Sequence, residues 1–312
     1  MKSAYKKGLY FALLAALISG VANFTNKFAV GVITPPLFFT AIKNVGAGIL
    51  IVSFILLAGK WQKLRALTKT EIYQLLAIAL VGGTIPFYLY FTGLSQVPAI
   101  NAALIHKTLV IWVAFLAVPL LKERLTKTML LAVVLLFGGN LLVGGFKMFR
   151  LSNGELMILA ATILWAAETI LAKKTLRNVD PDIVTGVRLG LGSLILVGAS
   201  LFLYPRALGK TFTLSSGQWL LLLLAIGTLT LYVAFWYRAL KYAPATTVAA
   251  VLVTATLVTN LLSAIFVTHL WTMDMVLQAL AMVLGLAVIT RQARSFAKPL
   301  WSKKQAAPLP AP

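Results

Sequence analysis

One motif occurs twice in this chain, about 145 residues apart. Pro36-x3-Thr40-x2-Lys43 matches Pro181-x3-Thr185-x2-Arg188, and each copy opens a long apolar stretch. Proline at the first helical position followed by an apolar run reads as a helix start. The chain is therefore two related halves. Each half places one permanent cation inside an apolar helix.

Composition says what surrounds those helices. Hydrophobic residues make up 60% of the 312 residues, and the mean hydropathy is +0.94. A water-soluble domain does not need so much apolar surface. Sustained apolar runs of this length read as transmembrane helices, so the lipid bilayer is the expected partner. The net charge of +21 would suggest nucleic acid in a soluble protein. Here the charge falls in short loops between spans, and nucleic acid is excluded. The chain has no Cys, which excludes disulfides and thiolate chemistry. Lys2, Lys6 and Lys7 followed by Leu9 to Ile18 resemble a signal peptide. The apolar run continues toward Phe24, and the repeat needs this helix, so a retained first span is expected.

Ten spans follow, at residues 8–29, 35–58, 71–93, 98–121, 127–146, 154–173, 181–204, 216–237, 244–268 and 274–290. Each is long enough for a hydrocarbon core of about 30 Å at about 1.5 Å per residue. Thr68-x2-Glu71, Ser152-x2-Glu155 and Ser215-x2-Gln218 have the capping-box pattern of helix N-termini. With the N-terminus in the cytoplasm, 20 of the 28 Lys and Arg fall inside and 5 outside. That split predicts both termini inside, in the cell membrane. The other three cations, Lys43, Lys107 and Arg188, lie within spans.

The halves align beyond the opening motif. Tyr90-Phe91-x2-Leu94-x3-Pro98-Ala99 matches Trp236-Tyr237-x2-Leu240-x3-Pro244-Ala245, and Gly8 matches Gly154. Each half holds five spans, and an odd number inverts the second half relative to the first. The predicted fold is an all-α membrane protein of ten transmembrane helices in two inverted five-helix repeats, 1–146 and 147–292. Residues 293–312 form a basic, Ala/Pro-rich tail expected to be disordered. Inverted repeats with polar groups between them are the architecture of alternating-access carriers.

With these features the chain resembles the drug/metabolite transporter superfamily, of the ten-helix EamA-like type. The resemblance covers roughly residues 8–290. It rests on the paired repeats, Leu164-Trp165-Ala166 in span 6, the small-residue starts of spans 4 and 9, and Leu121-Lys122-Glu123-Arg124-Leu125 closing span 4. Ser19-Gly20 departs from the family's frequent Trp-Gly, Lys43 from its usual first-half Arg, and His269-Leu270-Trp271 from its second Gly-Glu-like end. The resemblance implies a carrier of small metabolites, often an exporter, with a cavity between the repeats. It also implies peripheral spans 5 and 10 that mediate a homodimer.

Eight residues are candidates for the substrate site. Lys107 lies nine residues into span 4, about 13 Å deep, where a charge is costly and faces a cavity or a partner. His106 is its neighbour, turned about 100° away. A titrating His there would suit proton coupling, and a hydrogen bond to another helix is its structural reading. Lys43 and Arg188 are either anion contacts or cations balanced by backbone carbonyls or by Glu168. Glu168 shares a stripe of span 6 with Trp165 and is expected to pair with Arg188 or Lys107. Asn23 is deep enough in span 1 to line the cavity. Gly82, Gly83 and Pro86 interrupt span 3 and predict a kink, followed by Tyr90. Trp236 and Tyr237 read as interfacial belt residues or cavity walls, and the belt is the stronger reading at that span end. Asn140 and Asn260 read as helix–helix hydrogen-bonding residues.

No Gly-rich phosphate loop is present, so no ATP-driven pump is expected. No cofactor, metal site or catalytic constellation is legible, and the chain is not read as an enzyme. The expected function is secondary transport of small polar metabolites such as amino acids or organic anions. An exchanger of phosphorylated sugars or nucleotide-sugars, and a lipid scramblase, are the alternatives.

Overall fold

The computed structural model describes residues 2–144, 151–207, 209 and 213–295. All its regular elements are helical. They are α1 (Lys2–Ala29), α2 (Pro36–Leu57), α3 (Lys69–Gly83), α4 (Ile85–Leu94), α5 (Ala99–Lys107), α6 (Leu109–Leu121) and α7 (Lys127–Gly144). The second half holds α8 (Asn153–Thr175), α9 (Pro181–Leu203), α10 (Ser216–Tyr242), α11 (Ala245–Leu252), α12 (Ala255–Ser263) and α13 (Met273–Ser295). Among the described residues nine helices are long and apolar enough to cross a membrane, and the apolar part of α7, Lys127–Val143, is shorter. The C-terminal tail expectation lies mostly outside the described residues.

Local chemistry sets the helix starts. All three capping boxes form, with Thr68, Ser152 and Ser215 each accepting from the backbone amide three residues on. Asp180 caps α9 by accepting from the Asp182 amide at 2.9 Å, and Pro181 follows at the first helical position. Span 3 breaks between α3 and α4 at Thr84, as Gly82, Gly83 and Pro86 led us to expect. The Thr84 hydroxyl donates to the carbonyls of Ala79 at 3.1 Å and Gly192 at 3.0 Å.

Spans 4 and 9 break too, which the sequence reading did not foresee. The breaks fall at Thr108 and Thr254, 146 residues apart. Thr108 Oγ1 donates to Ile105 O at 2.6 Å, and Thr254 Oγ1 donates to Val251 O at 2.7 Å. Both threonine amides bond the same carbonyls at 3.0 Å. A hydroxyl competing for the backbone carbonyl three residues back tightens the turn in both halves.

The packing is that of a pseudo-twofold. The main helix pairs cross between halves: α2 with α9, α7 with α13, α1 with α10, and α8 with α3 and α4. Gly8 and Gly154 do the same work at opposite faces. A Cβ on Gly8 would lie 2.7 Å from Ala243 Cβ, and one on Gly154 would lie 2.8 Å from Val97 Cγ1. Ala243 and Val97 are again 146 residues apart. The inverted repeat is therefore a property of the packing as well as of the sequence. Spans 5 and 10 form the α7–α13 pair, tied to span 9 by polar contacts. Thr256 Oγ1 donates to Asn140 Oδ1 at 2.5 Å and Asn260 Nδ2 to Gln278 Oε1 at 2.8 Å, so both asparagines bridge helices.

The symmetry fails at the end of span 9. A π turn, Ala264–Thr268, ends span 9 before His269, which takes a left-handed φ of 53°. Lys122 takes the equivalent φ of 57° after α6. A π turn inserts one residue, so Leu270 stands where the first half has Glu123.

Candidate functional site

The face that carries the N-terminus is closed by contacts between the halves and within the second half. The Glu123 carboxylate accepts from the amides of Ala245 at 2.7 Å and Thr246 at 3.1 Å, and from the Thr246 hydroxyl at 2.8 Å. It thereby caps the N-terminus of α11 across the repeats. Lys173 Nζ donates to the carbonyls of Leu240 at 2.5 Å and Ala243 at 2.8 Å. Asp182 pairs with Arg238 at 2.5 Å and with Lys60, and Asp180 pairs with Lys63. Every residue from Ala245 to Val251 is buried. At the opposite face the corresponding helix α5 is looser, with Ala103, His106 and Lys107 partly exposed.

About a third of the way in from the closed face lies a polar cluster. Glu168 on α8 is 2% exposed and accepts a 2.5 Å hydrogen bond from the Tyr237 hydroxyl of α10. Arg188 on α9 lies over the Tyr237 ring, 5.7 Å from its centroid, and donates to Gly82 O at 3.4 Å. Gly82 sits between the two charges. A Cβ there would meet Glu168 Cδ at 3.0 Å and Arg188 Nε at 3.2 Å. Gly82 thus lets a carboxylate, a guanidinium and a freed carbonyl meet at one point. Arg188 Nε itself is buried without a hydrogen-bond partner.

Trp165 connects this cluster to an aromatic group nearer the open face. Its Nε1 donates to Gly82 O at 3.1 Å. Its ring stands 5.0 Å from His106 and 5.6 Å from Tyr90, and Tyr90 stands 5.5 Å from His106. Phe87 closes the group at 5.4 Å from Trp165. His106 Nδ1 is buried without a hydrogen bond, so the helix–helix bond expected of it does not form at that atom.

The structure thus gathers Glu168, Arg188 and Trp165, and Trp165, Tyr90 and His106, into two adjoining groups. Of the two cations expected beside Glu168, Arg188 is there and Lys107 is not, and neither lies within 4.0 Å of it. Lys107 ends α5, next to the Thr108 break. Lys43 is 5% exposed, and its ammonium lies 5.5 Å from the Phe39 ring centroid. Asn23 is exposed on α1 and belongs to neither group. Trp236 and Tyr237 are 3% and 0% exposed, so they are not belt residues. Tyr237 is the partner the sequence reading missed. Its match to Phe91 in the repeat, an added hydroxyl inside an apolar span, was the available signal.

An all-helical inverted repeat with buried charge between its halves defines a multi-pass membrane transporter. The EamA-like transporter family model matches residues 6–145 and 152–291, one copy per half, and the chain belongs to that family. It is 26% identical over 205 residues to the "Uncharacterized transporter YyaM" of Bacillus subtilis (strain 168), covering 62% of this chain and 65% of that one. It is 30% identical over 208 residues to an "Uncharacterized transporter" of Archaeoglobus fulgidus, covering 64% and 70%. A transporter of Methanothermobacter thermautotrophicus matches at 31% over 129 residues, 38% of its length. These alignments span from under half to about two thirds of the relatives. A solved crystal structure superposes with a TM-score of 0.75 at 19% identity over 95% of this chain and 98% of that one, which shows the fold.

Proposed function

We propose that this transporter is a secondary carrier for a small polar metabolite bearing a carboxylate, such as an organic anion or a zwitterionic amino acid. Its two inverted halves rock about a central site and expose it to each side in turn. One observation carries the choice of substrate. Three cations, Lys43, Lys107 and Arg188, lie within spans against one deep carboxylate, Glu168. Charge inside a bilayer is costly and marks a ligand path or a partner. An anion is the ligand that such an excess favours.

The positive-inside split puts both termini in the cytoplasm of a cell membrane. The closed face is then cytoplasmic and the looser face external. Export is the direction that the family resemblance implies, and no catalysis is assigned. Proton coupling is part of the proposal through Glu168 and His106, as is a homodimer through α7 and α13. A phosphate exchanger would need two cations close together. Gly48 of α2 packs on Leu189 of α9, which puts Lys43 and Arg188 about 10 Å apart along the helix axes. Arg188 is also balanced by Glu168, and both facts favour a single carboxylate over a phosphate ester.

Lys107→Ala in proteoliposomes tests the reading. Uptake is expected to fall sharply while the variant melts like the wild type. Unchanged uptake removes Lys107 from the site.

A further inference from the structure

The two repeat cations have opposite surroundings, and the difference can be traced residue by residue. Arg188 has a carboxylate, a hydroxyl and an indole close by, from Glu168, Tyr237 and Trp165. The offset of 146 that relates Gly154 to Gly8 takes Glu168 to Ala22 and Trp165 to Ser19. The same offset takes Tyr237 to Phe91. At the positions that the repeat relates to Glu168, Tyr237 and Trp165, the first half has Ala22, Phe91 and Ser19. The carboxylate is gone, the phenol hydroxyl is gone, and the bulky indole has become a small serine.

Lys43 is nevertheless as buried as Arg188, at 5% exposure against 7%. No carboxylate of a described residue lies within 4.0 Å of its ammonium. Two further polar groups accompany it. Thr40 and Asn44 are 0% and 1% exposed, and Thr40 Oγ1 and Asn44 Oδ1 have no hydrogen-bond partner. Residues three and four apart share a helix face, so Thr40, Lys43 and Asn44 form one polar strip on α2. In the other repeat the equivalent Thr185 hydroxyl is satisfied by Pro181 O at 2.8 Å. Thr185 is thus satisfied within its own helix, whereas Thr40 keeps a hydroxyl donor without a protein acceptor and Asn44 Oδ1 an acceptor without a donor. Buried polar groups in a membrane protein are normally paired.

We propose that the carboxylate of the substrate supplies the counter-charge that Glu168 supplies in the other repeat. The ligand is a small monocarboxylate. Its carboxylate sits on Lys43, with the Thr40 hydroxyl as a further donor. Its body occupies the room that Ala22 and Ser19 leave relative to Glu168 and Trp165. This inference rests on the carrier reading above and narrows it to one subsite.

The test supplies the counter-charge from the protein. Ala22→Glu, Ala22→Gln and Lys43→Gln are prepared in the full chain. Thermal stabilisation by propionate, benzoate and L-leucine is compared with that by their primary amides. Wild type is expected to respond to at least one acid and not to its amide. In Ala22→Glu that response is expected to weaken at least about tenfold, with melting at or above the wild-type value. Ala22→Gln keeps the response and Lys43→Gln loses it. The proposal is overturned if Ala22→Glu responds like wild type, if Ala22→Gln loses as much as Ala22→Glu, if amides bind as well as acids, or if no acid binds wild type. Should Ala22→Glu fail to fold, Lys43→Gln decides: loss of the response supports the subsite and retention overturns it. Carboxylate counterflow that survives in Ala22→Glu sinks this subsite and leaves the carrier standing. Absence of counterflow with any anion in wild type sinks the carrier reading itself.

Discussion

The Tyr237 hydroxyl donates to Glu168 at 2.5 Å, between the third and first spans of the second repeat, with Arg188 over the same ring. The three act as one unit, because each is fully or nearly buried. Removing one charge strands the other. Glu168→Gln or Arg188→Gln is expected to destabilise by about 3–5 kcal/mol. The double variant is expected to lose less than the sum. Chemical denaturation in detergent reads all three, and strictly additive losses would show that the charges are independent. Tyr237→Phe removes one hydrogen bond to a charged group and is expected to cost about 1.5–3 kcal/mol.

Glu123, after the fourth span of one repeat, caps the fourth span of the other, and its counterpart at the far face is Leu270. The Glu123 contact has no counterpart at residue 270, and the far face is joined instead by Asn101 Nδ2 donating to Glu155 Oε1 at 3.0 Å. The chain has no Cys, so Thr247→Cys on buried α11 gives a single thiol. Adding Glu123→Gln is expected to speed its labelling by a polar maleimide from the N-terminal face. Helix capping also predicts a loss of about 0.5–2 kcal/mol. Unchanged labelling would mean that Glu123 caps α11 without holding the face shut.

Gly8 and Gly154 allow equivalent close approaches, at opposite faces. Gly8→Ala puts a Cβ 2.7 Å from the Ala243 backbone nitrogen, and Gly154→Ala puts one 2.8 Å from Gln96 Cβ. Each is expected to cost about 1–3 kcal/mol by overpacking. Thermal melts compare them, and a loss at only one site would break the pseudo-symmetry of the two faces.

The Lys63–Asp180 pair lies in loops outside the spans. Burial works against the Asp180 carboxylate, but the Lys63 ammonium and the Asp182 amide outweigh it and hold its pKa below the usual range. The hydrogen bond and charge of Asp180 raise the Lys63 pKa. A depressed carboxylate contributes stability above its unfolded pKa, near about 4, and loses it as pH falls through its folded value. Wild type is expected to exceed Asp180→Asn by under about 1 kcal/mol at pH 7. The gap closes toward pH 3, and a pH-independent gap would assign the loss to capping alone.

What the sequence disclosed was whatever depends on local pattern. The capping boxes, the span 3 break at Gly82 and Gly83, and the Gly8–Gly154 match are all chemistry within a few residues or an offset between halves. The bridging roles of Asn140 and Asn260 follow from single polar groups in apolar helices. The breaks at Thr108 and Thr254 were hidden because threonine leaves hydropathy almost unchanged. Their shared offset was the only mark. The belt reading of Tyr237 followed from an aromatic near a span end, and its burial against Glu168 and Arg188 depends on packing between helices. The π turn adds one residue without changing composition, so the shift that replaces Glu123 by Leu270 needed coordinates.

Counterflow in proteoliposomes, without ion gradients, tests the central claim most directly. The purified chain is loaded with unlabelled amino acids, organic acids or sugar phosphates, and labelled tracer is offered outside. At least one carboxylate-bearing tracer is expected to accumulate transiently above protein-free liposomes, and less in Lys107→Ala. Failure of every anionic and zwitterionic tracer, in liposomes whose protein melts cooperatively, would contradict the account.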